Sequence, residues 1–380
     1  RVGRKVTKLN KNLDKRRLVK RDDFVISMRS FEGGLERAWA EGGIRSSYIV
    51  LKPVAEIGVG YYQHLFKSQP YIQALRATGN FIRDGQDLNF SNFSLVDLPY
   101  PPMEDQALIA RYLDWHGAMT GRLIRAKRGI LALIAEQREV VTREALEHRE
   151  TKEVRFGRVA DWVFREVDRT AASQLVAIGL FNRGRGIFQK PALEGDELGQ
   201  STFSWVQDGD LIFSGQFAWE GAVAVAGPNE HGCNASHSYH IVQGDDCQAT
   251  NTYLWCLFRS SFGQMVLNEH SRGAAGRNRP LNINSLMKGD IPVANEVYQQ
   301  KLHHLVQQER RLAQEIADEI TLIQEFRARL IADVVTGQLD VRAVAATLPD
   351  ITEIEAADDL TDDDDLDEEV DDLADAEEAA

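Results

Sequence analysis

Two glycine-broken runs hold the residues best suited to chemistry: Gly79-Asn80-Phe81-Ile82-Arg83 and Gly273-Ala274-Ala275-Gly276-Arg277-Asn278-Arg279. A guanidinium offers a planar fork of N–H donors, and a side-chain amide sets a donor beside an acceptor. These are the groups that match base edges in a major groove. Neighbouring glycines let backbone approach phosphate. A third run, Asn182-Arg183-Gly184-Arg185-Gly186 followed by Lys190, has the same make-up, and Arg272 precedes the second run. The bland alternative for all three is a solvated loop with scattered basic residues. Gly184-x-Gly186 is not a dinucleotide fingerprint, because no third glycine and no acidic ribose partner follow. His231, Cys233, His237 and His240 invite a zinc reading. Their spacing fits no common zinc module, and His237 with Tyr239 should take one strand face while His240 takes the other. No nucleophile–base pair, P-loop or paired-carboxylate nuclease motif occurs, and Pro99-Tyr100-Pro101-Pro102 has the wrong order for an adenine methyltransferase box. Neither catalysis by the chain alone nor a metal or cofactor bound to it is expected.

The first two runs follow matching elements, because the chain is written twice. Asp23-Phe24-Val25-Ile26-Ser27 returns as Asp210-Leu211-Ile212-Phe213-Ser214, and Leu65-Phe66-Lys67-Ser68 as Leu257-Phe258-Arg259-Ser260. Asn89-Phe90 returns as Asn282-Ile283, and Leu98-Pro99 as Ile291-Pro292. The displacements are 187, 192, 193 and 193 positions, far longer than a solenoid unit. Two similar domains with similar but non-identical faces suit a ligand with two spaced half-sites, and duplex DNA is the obvious one. After the first strand, Gln216, Trp219 and Glu220 stand against Arg29, Glu32 and Arg37 of the first copy. That divergence fits two different half-sites and fits surface drift equally well.

Around these landmarks, apolar alternation predicts strands at Phe24–Ser27 and Ser47–Leu51, with turns at Gly33-Gly34 and Gly42-Gly43. Tyr61–Arg76 reads as one amphipathic helix. The second copy repeats this with strands at Leu211–Phe213, Ala222–Ala226 and Tyr239–Val242 and a helix near Thr252–Asn268. Each copy ends in a long helix. The first starts after Pro101-Pro102 and runs to about Leu146, with Ile109, Tyr112, Leu113, Met119, Leu123, Ile130, Ile134, Val141 and Ala145 as its apolar stripe. The second, about Glu296 to Val335, carries Tyr298, Leu302, Leu305, Leu312, Ile316, Ile323, Leu330 and Val334, with His303-His304 on its surface. Such sustained steps favour a coiled-coil seam, and each helix would span roughly 60 Å. The expected fold class is α+β: two pseudo-repeated α/β domains separated by two long antiparallel coiled-coil helices, making a rod with one domain at each end. The boundaries expected are 1–97 (first domain), 98–150 (first helix), 151–290 (second domain), 291–342 (second helix) and 343–380 (an acidic tail).

With 380 residues and 43% hydrophobic content, two cores of ordinary size are affordable. No run of 18 apolar residues exists, and three unevenly spaced cysteines make no disulfide framework, so a soluble, cytoplasmic protein is expected. The net charge of −14 is concentrated at one end: residues 350–380 hold 17 of the 58 acidic residues and no Lys or Arg. The remaining 41 face 44 basic residues, which is permissive for nucleic acid. Residues 1–29 are more basic still, with eleven Lys or Arg against three Asp. The tail should be disordered, either as a solubiliser or as a DNA mimic that suppresses non-specific binding. The chain begins with Arg1, and only 22 residues precede Asp23 whereas 56 (Val154–Gly209) precede Asp210. The expectation is a first domain lacking some 34 N-terminal residues.

Leu98-Pro99-Tyr100-Pro101-Pro102-Met103-Glu104-Asp105-Gln106, continuing to Asp114, resembles the signature that closes a target-recognition domain in type I restriction–modification specificity subunits. Leu330–Asp340, with Val334-Val335-Thr336-Gly337, is similar to that family's helix end, and Gly209-Asp210-Leu211-Ile212 looks like its Gly-Asp strand. The resemblance covers about Lys20 to Arg342. It implies a non-catalytic, sequence-specific DNA-binding subunit that reads a bipartite target, with the paired helices as a ruler for the unread spacer. The implied partners are double-stranded DNA, two methyltransferase subunits using S-adenosylmethionine, and motor–nuclease subunits using ATP and Mg2+. Candidate DNA contacts are then Arg29, Arg37, Arg83, Arg183, Arg185, Lys190, Gln216, Arg272, Arg277 and Arg279. Candidates for the coiled coil and partner docking are Ile109, Leu113, Leu123, Ile130, Leu302, Leu305, Leu312, Ile316 and Ile323. Two departures stand out: the second Pro-Pro motif has become Pro292-Val293-Ala294 with no Glu-Gln following, and the acidic tail is foreign to the pattern. The rival reading is a coiled-coil scaffold without sequence-specific DNA binding.

Overall fold

The structure is a computed structural model that describes residues 16–27, 33–78, 93–168, 174–194, 201–272 and 279–349. The acidic tail and the expectation of its disorder lie outside the described residues. The fold is α+β and divides into two compact units, one of Arg1–Lys127 with Ile316–Ala380, the other of Arg128–Glu315. Each unit therefore holds one α/β domain and a stretch of both long helices, Met103–Glu147 and Glu296–Val335.

In the first unit, Phe24–Ser27 forms the middle of a three-stranded antiparallel sheet between Glu36–Arg37 and Tyr48–Leu51. Alternation buries Phe24 and Ile26 against the helices and leaves Val25 and Ser27 half-buried. The expected turn at Gly42-Gly43 is instead a strand, Gly42–Ile44, paired with Arg17–Val19. The single helix expected over Tyr61–Arg76 is two, Val59–Lys67 and Gln69–Ala77. Ser68 separates them: its backbone is extended, its Oγ accepts from the Tyr71 N–H at 3.5 Å, and Pro70 stands where a helix start lacks a partner for its N–H.

The second unit repeats the plan. Leu211–Ser214 lies between Val223–Val225 and Tyr239–Gly244, and Ala160–Val163 adds a fourth strand beyond. Ser27 pairs with Tyr48 as Ser214 pairs with Tyr239, so the register matches. The helix expected near Thr252–Asn268 is also two, Asn251–Arg259 and Ser261–His270, with Ser260 accepting from the Gly263 N–H at 3.2 Å. Here the middle strand is buried on both faces. Leu211 and Phe213 meet the helices, while Ile212 joins Ile178, Leu180 and Ala235 of an outer layer.

Two buried hydrogen-bond sets recur. Asp23 accepts from the Lys20 N–H and Asp210 from the Gln207 N–H, each at 2.8 Å, and each backbone carbonyl accepts from an alanine, Ala38 or Ala226. Before them, Asp22 and Gly209 both adopt left-handed φ, 72° and 86°, a region that Asp tolerates and Gly prefers. The second set corrects the reading that the closing motif decays in the second copy. Gln106 Oε1 accepts from the Gly58 N–H at 2.7 Å while its Nε2 donates to the Pro101 carbonyl. Gln299, 193 positions on, accepts from the Thr250 N–H at 3.0 Å and donates to the Ala294 carbonyl. Each glutamine clamps its domain to the start of the long helix that follows.

The helix stretches run antiparallel within each unit. In the first, Lys127 pairs with Glu319 and Asp105 with Arg342. In the second, Arg138 meets Glu309 at 3.1 Å and Lys301 meets Glu144 at 3.5 Å. The buried positions of the first helix are Gln106, Leu113, Gly117, Ala118, Gly121, Arg138, Val141, Thr142 and Ala145, with Ile124, Leu131 and Ile134 half-buried between them. Leu123 and Ile130 are about half exposed, so they lie beside the expected seam and not in it. The physical reason is that small glycines and the apolar stem of Arg138 fill seam places that a search for large apolar residues passes over. Leu113, Leu302, Leu305 and Ile316 are buried, while Ile109, Leu312 and Ile323 are half-buried.

Candidate nucleic-acid interface

Among the described residues, those that could meet a nucleic acid gather in the second unit, on loops braced by the repeated scaffold. After Leu211–Ser214 the chain makes a tight turn: Ser214 Oγ accepts from the Phe217 N–H, and Ala218–Glu220 forms one helical turn closed by Gly221 at φ 81°. Trp219 is held by its indole N–H on the Gln216 carbonyl at 3.1 Å. Beyond Ser261–His270, the residues from Arg279 to Leu281 lie against this turn. Ser271 pairs with Leu281, and the Leu281 N–H donates to the Gly215 carbonyl at 2.7 Å. Arg279 consequently stacks over the Trp219 ring at 4.8 Å, with Nη1 3.2 Å from Asn268 Oδ1.

The Asn182-Arg183-Gly184-Arg185-Gly186 run closes on the same turn. Asn182 Nδ2 donates to Glu220 Oε2 at 2.8 Å, and a Cβ built at Gly221 would lie 3.6 Å from Arg183 Cα. Arg183 has φ 58° and Gly184 φ 66°. A non-glycine residue in that region is uncommon and is retained where the surroundings over-determine it. Arg183 is exposed, and Arg185 lies over the Phe181 ring at 5.1 Å.

The structure thus brings Arg183, Gln216 and Arg279 together, with Asn182, Trp219 and Glu220 beside them. Arg272 is exposed at the near side of the Arg-rich run, and Lys190 follows the strand Ile187–Gln189. Arg277 lies outside the described residues, as do Arg29 and Arg83 of the first copy. Arg37 is described, and the fold uses it. Its guanidinium donates to Asp22 at 2.7–2.8 Å and to Gln63 Oε1 at 3.0 Å.

The four residues of the zinc reading are apart in role. Cys233 is buried, and burial first, then Glu230, raises its thiol pKa. His231 accepts from the Asp208 N–H at 3.4 Å, and His240 meets the Trp162 ring edge-on. His237 lies in a turn before Tyr239–Gly244, not on the strand as expected. Among the described residues no three His, Cys, Asp or Glu side chains are placed to share an ion, and no helix is long and apolar enough to cross a membrane.

Beneath the Asn182–Gly186 loop lies a cluster that sequence inspection missed. The Trp255 indole is flanked by two guanidiniums, Arg138 at 4.4 Å and Arg259 at 5.1 Å from its ring centroid. Arg259 Nη1 donates to the Gly184 carbonyl. Burial, then Arg138, lowers the Arg259 pKa, and burial pushes the Cys256 thiol beside it up to about 12. The one available signal was an Arg at the landmark where the first copy has Lys67.

No family model and no curated relative matches this sequence. Among solved structures, it is similar to a chain from work on complex assembly and conformational transition in the type I R-M system, at 14% identity and TM-score 0.49, covering 87% of this chain and 85% of that one. It is also similar to the HsdS subunit from Thermoanaerobacter tengcongensis, at 14% identity and TM-score 0.40, over 85% and 82% of the two chains. The type I restriction–modification S subunit from M. genitalium matches at 13% identity and TM-score 0.41, over 89% and 86%.

Proposed function

We propose that this chain is the DNA-reading specificity subunit of a type I restriction–modification system. Each unit reads one half of a split target, and the long helices fix the unread spacer and dock two methyltransferase subunits. Chemistry belongs to the partners: S-adenosylmethionine in the methyltransferases, ATP and Mg2+ in the motor–nuclease. The carrying observation is duplication at the level of single hydrogen bonds. The Asp23 and Asp210 turns, the Ser68 and Ser260 breaks and the Gln106 and Gln299 clamps build the same domain twice. The basic loops of the second unit supply forked donors on that scaffold. Apolar side chains left exposed on the helices, Leu322 and Phe326 in one unit and Leu133 and Val140 in the other, offer partner contacts that polar helix faces would not.

Selection from a random duplex pool with the full chain tests this reading. The expected winners carry two short half-sites separated by a fixed gap of any sequence. Deleting four residues, about one helical turn, from one long helix should change the gap and leave both half-sites alone. A single uninterrupted site, no enrichment, or an unchanged gap would contradict it.

A further inference from the structure

The Asn182–Gly186 loop is strained, and its restraint comes from two sides. From the turn, Glu220 accepts from Asn182; from below, Arg259 donates to the Gly184 carbonyl. Arg183, the exposed residue with φ 58°, lies between these two anchors. Gly184 is matched to the arrangement, since its φ is 66° and a Cβ there would overlap the Arg259 guanidinium. Arg259 is itself braced. Its guanidinium carbon lies over the Trp255 ring at 5.1 Å, Arg138 lies over the same indole, and Glu309 is 3.1 Å from Arg138. An ammonium could donate to the same carbonyl but has no plane to stack. The matching residue of the first copy, Lys67, pairs with the Glu36 side chain, and among the described residues it donates to no loop carbonyl.

We propose that Arg259 is a positioning residue that fixes the Asn182–Gly186 loop, and with it Arg183, for reading the half-site of the second unit. This rests on the DNA-reading assignment above. Arg259 acts through the Gly184 carbonyl and does not itself touch DNA.

The test compares the full chain with Arg259→Met and Arg259→Lys in competition binding to duplexes varied at each half-site. Arg259→Met should cut discrimination about tenfold or more at positions of one half-site and leave the other unchanged. The dependence of affinity on salt should stay as in the parent, because an inward-facing guanidinium releases no counterions. Arg259→Lys should recover part of the discrimination. If Arg259→Met does not fold by circular dichroism, Gly184→Ala breaks the same contact from the loop side and should give the same one-sided loss. Full discrimination in a folded Arg259→Met or Gly184→Ala chain overturns the proposal. So does a uniform loss at all sequences with a salt slope lower by about one, which marks a direct phosphate contact. A parent chain with no split-site preference would instead sink the DNA-reading assignment, and this proposal with it.

Discussion

The two domains place equivalent helix residues in opposite kinds of service. At one set of positions they agree. Tyr61 and Tyr253 are buried and donate to backbone carbonyls, of Val335 and Pro292 respectively. Phe66 and Phe258 each meet a phenylalanine of the middle strand edge-on, Phe24 at 4.9 Å and Phe213 at 5.0 Å, although these two stand two places apart in the repeat. At the neighbouring set they differ: Gln63 and Lys67 engage Arg37 and Glu36 of their own sheet, whereas Trp255 lies under Arg259, which bonds a loop carbonyl. Positions that hold the domain together keep their chemistry, and positions that face the variable loops change it. The second domain also buries its middle strand on both faces, and so has more of its polar framework out of water.

That last difference predicts the largest effect. Asp210 is fully buried and takes a two-pronged contact from Arg165, at 2.7 and 3.0 Å, besides the Gln207 N–H. Among the described residues no cation pairs with Asp23. Arg165→Met leaves a buried carboxylate without its counter-charge and should cost about 3–5 kcal/mol. Asp23→Asn loses part of one hydrogen bond and should cost about 1 kcal/mol. Hydrogen exchange read peptide by peptide should show Arg165→Met loosening residues 203–245 while 59–77 stay protected. Equal loosening of both would break the comparison.

The glutamine clamps sharpen it from the other side, where the domains should behave alike. Gln106→Ala strands a backbone N–H and a carbonyl, and Gln299→Ala an N–H and two carbonyls, of Gln248 and Ala294, at about 1–3 kcal/mol each. The two losses should agree within about 1 kcal/mol, each confined to its own unit. A Gln299→Ala chain as stable as its parent would reduce Gln299 to a coincidence of spacing.

Much of this architecture was legible in the sequence, and the failures have physical causes. Leu65-Phe66-Lys67-Ser68 and its copy mark the repeat, but their periodicity reads as helix interior. A serine there is equally able to cap, and the cap is what splits the helix in both domains. Gln299 is hidden in the sequence because Ala294, Asn295 and Val297 stand where Pro101, Pro102 and Glu104 make Gln106 recognisable, although only the amide is needed for the clamp. The seam was misplaced by choosing Leu123 and Ile130 over Gly117, Gly121 and Arg138. The change from Lys67 to Arg259 at a shared landmark marks the position but not its role, because its partner is a backbone carbonyl 75 residues earlier, and carbonyls leave no trace in a sequence.

The smallest expected effect concerns one substitution in the shared sheet register. His240 lies opposite Phe213 where Ile49 lies opposite Ile26. Burial lowers the His240 pKa from its ordinary 6.5. The folded second unit therefore resists a proton that the unfolded chain accepts. Stability from the neutral ring is complete above about pH 6.5 and falls as pH drops toward the depressed folded value, at no more than about 1.4 kcal/mol per pH unit for one proton. His240→Ile, which copies the first domain, should flatten the loss of second-unit stability between about pH 7 and pH 5. Burial also lowers the pKa of His116 on the first long helix, in the other unit, so the first unit should keep its own acid sensitivity in that variant. Unit-resolved exchange at the two pH values separates these contributions, and an unaltered second-unit slope in His240→Ile would mean that another group carries it.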